Sequence, residues 1–222
     1  MTNLKKHQEN IPKIMSILEK HYQFNKRTTL NKMRSKPNPF KILISCLLSL
    51  RARDETTEKI SRELFKIADT PQKLEKIPLK KLEKIIYSTG HYHKKARILK
   101  SVSKELIKKY NGKVPKTKQE LISIKGIGPK TANIVLSFAF KEKVIPVDTH
   151  CHRIPNRLGW VKTKNAEKTE QKLIKILPKK YWQEFNAIFV LFGRTICQPV
   201  SPWCSKCPIK KTCPRINIKK SR

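Results

Sequence analysis

The chain has 222 residues, 51 of them Lys or Arg against 16 Asp or Glu, for a net charge of +35. Its length suits one large domain or two small ones, each with a real core, and 38% hydrophobic residues is ordinary for a globular protein. So large a charge excess repels itself in a compact state and points to a polyanionic partner, as in nucleic-acid binders. No run of about 18 apolar residues exists to span a membrane, and "MTNLKKHQENIPKIM" lacks the apolar centre of a signal peptide.

An intracellular, reducing setting is therefore expected, cytoplasm and nucleoid, with a nucleus left open by basic clusters such as "KKTCPR". In that setting, clustered cysteines point to metal rather than to disulfides.

Along the chain, β alternation is absent and helical spacing recurs. Ile11, Ile14, Met15, Leu18 and Tyr22 line one face of a first helix. "FNKRTTLNKMRSKPNP" reads as a connecting loop. Asn38 then caps a helix with Pro39 at its first position and the apolar run "FKILISCLLSL" behind it. Asp54 is the expected cap of "ETTEKISRELFKIA", and Thr70-Pro71 starts a short helix. "PLKKLEKIIYSTG" stops at Gly90, and "KKARILKSVSKELIKKYNG", the longest helical pattern, stops at Asn111-Gly112. "TKQELISI", "PKTANIVLSFAF", "AEKTEQKLIKIL" and "YWQEFNAIFVLF" complete roughly ten helices. All six glycines fall at or near helix breaks or edges. The predicted fold is all-α, without internal repeats.

"KQELISIKGIGPKTANIVL" reads as helix, tight turn, helix. Gly126 and Gly128 can adopt φ values closed to other residues and let the backbone approach a ligand. The amides of this turn and of the following first helical turn point outward together, forming an anion site suited to a DNA phosphate. Lys130 enters that helix at its second or third position. The helix dipole and nearby cations disfavour its charged form there. A neutral amine is a nucleophile, and simple phosphate contact is the competing role.

In "VIPVDTHCHRIPNRLGW", Asp148 follows apolar residues and precedes a helical pattern, so it reads first as an N-cap. A carboxylate so held is also rigid and ionised, so a cap and a chemical role can coexist. His150 and His152 are assigned no chemistry; His150 is placed among residues that touch DNA phosphate. Cys197, Cys204, Cys207 and Cys213 give C-x6-C-x2-C-x5-C in a short stretch rich in proline and lysine. Four thiolates can hold a tetrahedral zinc or an iron–sulfur cluster. A single C-x2-C hook and a wide first spacing favour the larger, cubic group. Cys46 and Cys151, in apolar contexts, read as buried bystanders.

Together "SLRARDETT", "STGHYHKKA", "IKGIGPKTAN", "VDTHCHRIPNRLG" and the four-cysteine run resemble the endonuclease III family of DNA glycosylases, the iron–sulfur branch of the helix–hairpin–helix, Gly/Pro…Asp superfamily. The resemblance runs from about Phe40 to Cys213. It implies an all-α fold of two helical domains with a DNA cleft between them. Residues 33–142 would form a six-helix barrel carrying the hairpin. Residues 1–32 and 143–222 would form a discontinuous domain with the cluster loop.

The resemblance further implies that Lys130 is the catalytic lysine and Asp148 the catalytic aspartate. Cys197, Cys204, Cys207 and Cys213 would bind a structural 4Fe–4S cluster, and Arg51, His91, Lys125, Gly126, Ile127, Gly128 and His150 would lie on double-stranded DNA with a damaged base or abasic site. The implied enzyme is a monomeric bifunctional glycosylase/lyase for oxidised pyrimidines such as thymine glycol. Branches that only remove bases lack the lysine, and the adenine-specific branch has a glutamate where Cys46 stands. The alternatives are a monofunctional mismatch glycosylase and a non-catalytic metal-stapled binding protein.

The sequence also departs from the family. Ile124-Lys125 replaces the usual Leu-Pro before the first glycine. Arg51 stands where bacterial members have a gap-filling glutamine, and His91 where many have a leucine or phenylalanine wedge. Pro155 interrupts the helix after Asp148, so a kink or no effect is expected there.

Overall fold

The computed structural model describes residues 3–22, 33 and 37–222. The predicted connecting loop from Phe24 lies largely outside the described residues. Twelve α-helices and two short 3-10 turns, with no strand, make up the regular structure of the described residues. The chain divides into two compact units, Met1–Lys26 with Lys143–Arg222, and Arg27–Glu142.

The unit Arg27–Glu142 is organised around α3 (Pro39–Ser49), in which every residue from Phe40 to Leu48 except Lys41 is buried. Asn38 caps it as its sequence position predicts, accepting from the Lys41 amide at 3.0 Å, with Pro39 at the first position. Against α3 pack α4 (Asp54–Ile67), α7 (Tyr92–Tyr110) and α9 (Pro129–Ala139). Between them run α5 (Pro71–Lys76), α6 (Leu79–Ile86) and α8 (Lys118–Ser123).

Thr70 and Thr117 cap α5 and α8. Asp54 does not cap α4: Arg53 holds that position without a side-chain bond. Asp54 and Glu55 instead sit in the first turn, where their charges favour the helix dipole. Asn111 and Gly112, both at positive φ, end α7, and the Gly112 amide reaches back to the Leu106 carbonyl at 2.9 Å.

The other unit contains α1 (Asn3–Gln8), α2 (Ile11–Tyr22), α10 (Thr149–Arg157), α11 (Ala166–Ile176) and α12 (Trp182–Thr195). The predicted apolar face of α2 is buried in full and meets α12, where the Tyr22 hydroxyl lies 2.7 Å from the Thr195 hydroxyl. Short α1 lacks an apolar stripe and has no sequence signal. The core centres on stacked Phe185 and Phe189, with ring centroids 4.1 Å apart, and on fully buried Trp160. Pro155 lies inside α10 without ending it. Gly193, within α12 two residues from its end, is there for packing, since a Cβ would collide with the His150 ring.

Truncating Phe189 empties the centre of this core. Phe189→Ala is expected to lower unfolding free energy by about 3–5 kcal/mol, read by denaturant titration.

Candidate active site and cysteine loop

The hairpin joins α8 to α9. Its turn is closed by the Ile127 amide donating to the Ile124 carbonyl at 3.0 Å, with both side chains buried. Gly126 has φ +101°, and a Cβ there would stand 2.8 Å from Ile98 Cγ2, so both conformation and space call for glycine. Gly128 differs from the sequence expectation: its φ of −92° is open to any residue. Nothing lies within 4 Å of a Cβ built on it, so the absent side chain serves an open approach to the backbone. Lys125 is exposed, its amide donating to Glu105 Oε1 at 3.3 Å.

Pro129 opens α9 and Lys130, exposed, is its second residue. Cys46 on α3 is fully buried close to this helix start. Burial pushes its thiol up, while the Lys130 charge and a hydrogen bond with Thr131 act the other way.

Asp148 caps α10, as expected. A single oxygen, Oδ1, accepts from the His150 and Cys151 amides, both at 2.9 Å. The chain before it is anchored by buried Ile145 and Val147, and the Asn186 side chain donates to the Pro146 carbonyl at 2.9 Å. His150, half-buried, has Nδ1 3.1 Å from Arg153 Nη2. The His152 ring meets the Thr169 hydroxyl at 2.7 Å in a network with Thr163 and Asn156, a structural setting.

Two arginines of α10, both inside "VDTHCHRIPNRLG" but given no role by the sequence reading, reach the cysteine loop. Arg153 Nη2 donates to the Cys197 carbonyl at 2.7 Å. Arg157, only 8% exposed, donates to the Gln198 and Pro199 carbonyls at 2.6 and 2.7 Å, and its Nη1 lies 3.4 Å from Cys197 Sγ. Their spacing on the apolar register of α10 was the available signal.

Cys197, Cys204, Cys207 and Cys213 all line one pocket, with Ile154 and Phe192 among its walls. Among the described residues, no group of three or more His, Cys, Asp or Glu stands close enough to hold a metal ion. Four thiols on the wall of one pocket are a donor set that fits an iron–sulfur group. Burial and the neighbouring sulfurs push the Cys207 thiol up to about 11, with Cys213 raised in the same way; cationic iron would favour the thiolates.

Arg51 and His91 are exposed and both adopt positive φ, 56° and 48°. Near them lies Lys95, inside "STGHYHKKA" but given no role by the sequence reading. It is 6% exposed, and its Nζ donates to the Leu48 and Thr89 carbonyls, both at 2.8 Å. Burial pulls its amine down to about 8.

Comparison with known proteins agrees with this architecture. The family model "HhH-GPD superfamily base excision DNA repair protein" matches residues 44–179, more than half of the chain. An endonuclease III from Thermotoga maritima is 48% identical over 176 residues, covering 79% of this chain and 83% of that protein. An endonuclease III from Buchnera aphidicola (Schizaphis graminum) is 38% identical over 204 residues, 92% and 97% of the two chains. Among solved structures, a trapped endonuclease III–DNA covalent intermediate matches with TM-score 0.85 and 35% identity, over 94% of this chain and 96% of that one. A thermostable thymine-DNA glycosylase, TM-score 0.82 at 24% identity, shares the fold.

An all-helical chain with this hairpin and this aspartate-capped helix is therefore a helix–hairpin–helix base-excision repair protein. Within that superfamily it belongs to the endonuclease III family, and its enzyme class is DNA glycosylase/lyase.

The cap at α10 can be tested apart from any chemistry. Asp148→Ala should destabilise by about 1 kcal/mol, whereas Asp148→Asn, which keeps an oxygen for the two amides, should lose clearly less in thermal melting.

Proposed function

We propose that the chain excises oxidised pyrimidines from double-stranded DNA and then cuts the abasic strand through a lysine Schiff base. The observation that carries this reading is Lys130, exposed as the second residue of α9, directly after the Gly126–Gly128 turn. Branches of the resembled family that only remove bases have no lysine there.

The chemistry requires the damaged nucleotide to leave the stack. The hairpin backbone around Lys125, Gly126, Ile127 and Gly128 would grip the phosphate beside it. Arg51 and His91 would fill the gap, and His150 would add a contact to the backbone. Lys130 Nζ attacks C1′ as the glycosidic bond to the base breaks, and ring opening leaves an imine between Nζ and C1′. The imine acidifies the C2′ proton. Its removal expels the 3′ phosphate by β-elimination. Asp148, held in place by two amides, stabilises positive charge on the sugar as the base departs and assists deprotonation of the lysine.

Cys197, Cys204, Cys207 and Cys213 would hold a 4Fe–4S cluster. When bound, that group supplies a cross-link for a short, lysine-rich loop that cannot otherwise form a core. Arg157 would donate to the Cys197 sulfur beside it. The unit Arg27–Glu142 is read as the barrel and hairpin domain and the other unit as the cluster domain. The protein acts as a monomer inside the cell, where its substrate is.

A borohydride trap tests the chemistry. Incubated with a duplex carrying one thymine glycol or one abasic site, the protein should give a covalent protein–DNA band. Lys130→Ala should lose both the band and incision while keeping duplex affinity; equal incision by this variant removes the lysine from the mechanism. Asp148→Asn should slow base removal by about 10²–10³-fold.

A further inference from the structure

Lys95 is a costly residue to bury. A cation taken from water is expensive unless hydrogen bonds replace its hydration. Lys95 obtains them from backbone carbonyls far apart in sequence, Leu48 at the end of α3 and Thr89 in the turn before α7. An apolar side chain of the same length would fill the space but leave both carbonyls without this donor, so the lysine is kept for what it links.

Each of the two carbonyls lies just upstream of an exposed side chain on left-handed backbone. Arg51 comes three residues after Leu48, and His91 two residues after Thr89. Gly90, between Thr89 and His91, also has positive φ, at 67°. Such conformations persist only where the surroundings over-determine them. Local bonds close each turn by itself: the Ala52 amide to the Ser49 carbonyl at 3.1 Å, and the Thr89 hydroxyl to the Ile86 carbonyl at 2.8 Å. Lys95 adds a bond from turn to turn. The link outlasts deprotonation, because a neutral amine still has two N–H groups for two carbonyls.

We propose that Lys95 is a positioning residue that couples the Arg51 and His91 turns into one rigid unit, so that both side chains enter the gap in a distorted duplex together. This rests on the reading of Arg51 and His91 as gap-filling residues.

The experiment compares affinity for a duplex containing a tetrahydrofuran abasic analogue with affinity for the same duplex undamaged. Lys95→Met should lower the ratio about tenfold and leave affinity for undamaged DNA unchanged. An unchanged ratio in folded Lys95→Met protein, or equal losses on both duplexes, overturns the proposal. A double-mutant cycle reads the coupling without touching Lys95. Arg51→Ala and His91→Ala should be non-additive on the ratio in the otherwise native chain, and additive effects overturn the link even if Lys95→Met does not fold. If neither alanine variant changes the ratio, the gap-filling reading fails and the link falls with it, while borohydride trapping through Lys130 stands or falls separately.

Discussion

Two amide hydrogens on one carboxylate oxygen fix the start of α10, and most of the unit around it depends on that helix. Asp148 sets where the helix begins and therefore which residues face inward: Cys151 and Ile154 enter the core. The same register aims Arg153 and Arg157 at the carbonyls of residues 197–199, where the cysteine loop leaves α12. A helix of nine residues thus connects the candidate catalytic aspartate to the first cysteine of the candidate cluster loop through one rigid element. Displacing its cap would disturb chemistry and cluster loop together, which is why Asp148→Asn, preserving the acceptor, separates charge from scaffold.

The charge imbalance shapes how cations are buried. With 16 acidic residues for 51 basic ones, carboxylates are too few to serve as internal partners. Ion pairs such as Lys66–Glu63 and Lys109–Glu105 lie on exposed helix surface, three or four residues apart on one helix. Pairs of that kind contribute little. Buried and half-buried cations take backbone carbonyls instead: Lys95 with Leu48 and Thr89, Lys100 with Glu75 and Ile77, Arg153 with Cys197, Arg157 with Gln198 and Pro199. Each bond pins a loop to a helix, so a charge that disfavours the compact state over the surface is used inside to fix irregular backbone.

Much of this was legible in the sequence because it is local. Asn38, Thr70, Thr117 and Asp148 cap helices where a polar residue before an apolar period predicts it, and the α2 stripe is buried residue for residue. Asp54 misled because the left-handed turn at Arg51 brings the chain into α4 one residue early, leaving Asp54 inside the first turn. Gly128 misled because a glycine's conformational freedom and its lack of bulk look the same in sequence. Lys95 and Arg157 were hidden by composition: in so basic a chain a lysine or arginine reads as solvated surface. Yet Lys95 stands on the stripe Ala96, Leu99, Val102, Leu106, and Arg157 on that of Cys151 and Ile154. A cation in apolar register was the signal, and its partners, 47 and 41 residues away, are visible only once the chain is folded.

The starts of α9 and α10, one in each unit, meet the same electrostatic problem in opposite ways. Each presents amide hydrogens and the positive end of a dipole. At α10 two amides are occupied from within, by the Asp148 carboxylate. At α9 the cap is Gly128, which has no side chain to offer, and Pro129 removes one amide altogether. What remains there faces an opening that no Cβ narrows. In the proposed mechanism the α10 start would supply negative charge for a cationic sugar. The α9 end leaves its field available to a phosphate, and an anion bound there would supply the cap that Gly128 lacks.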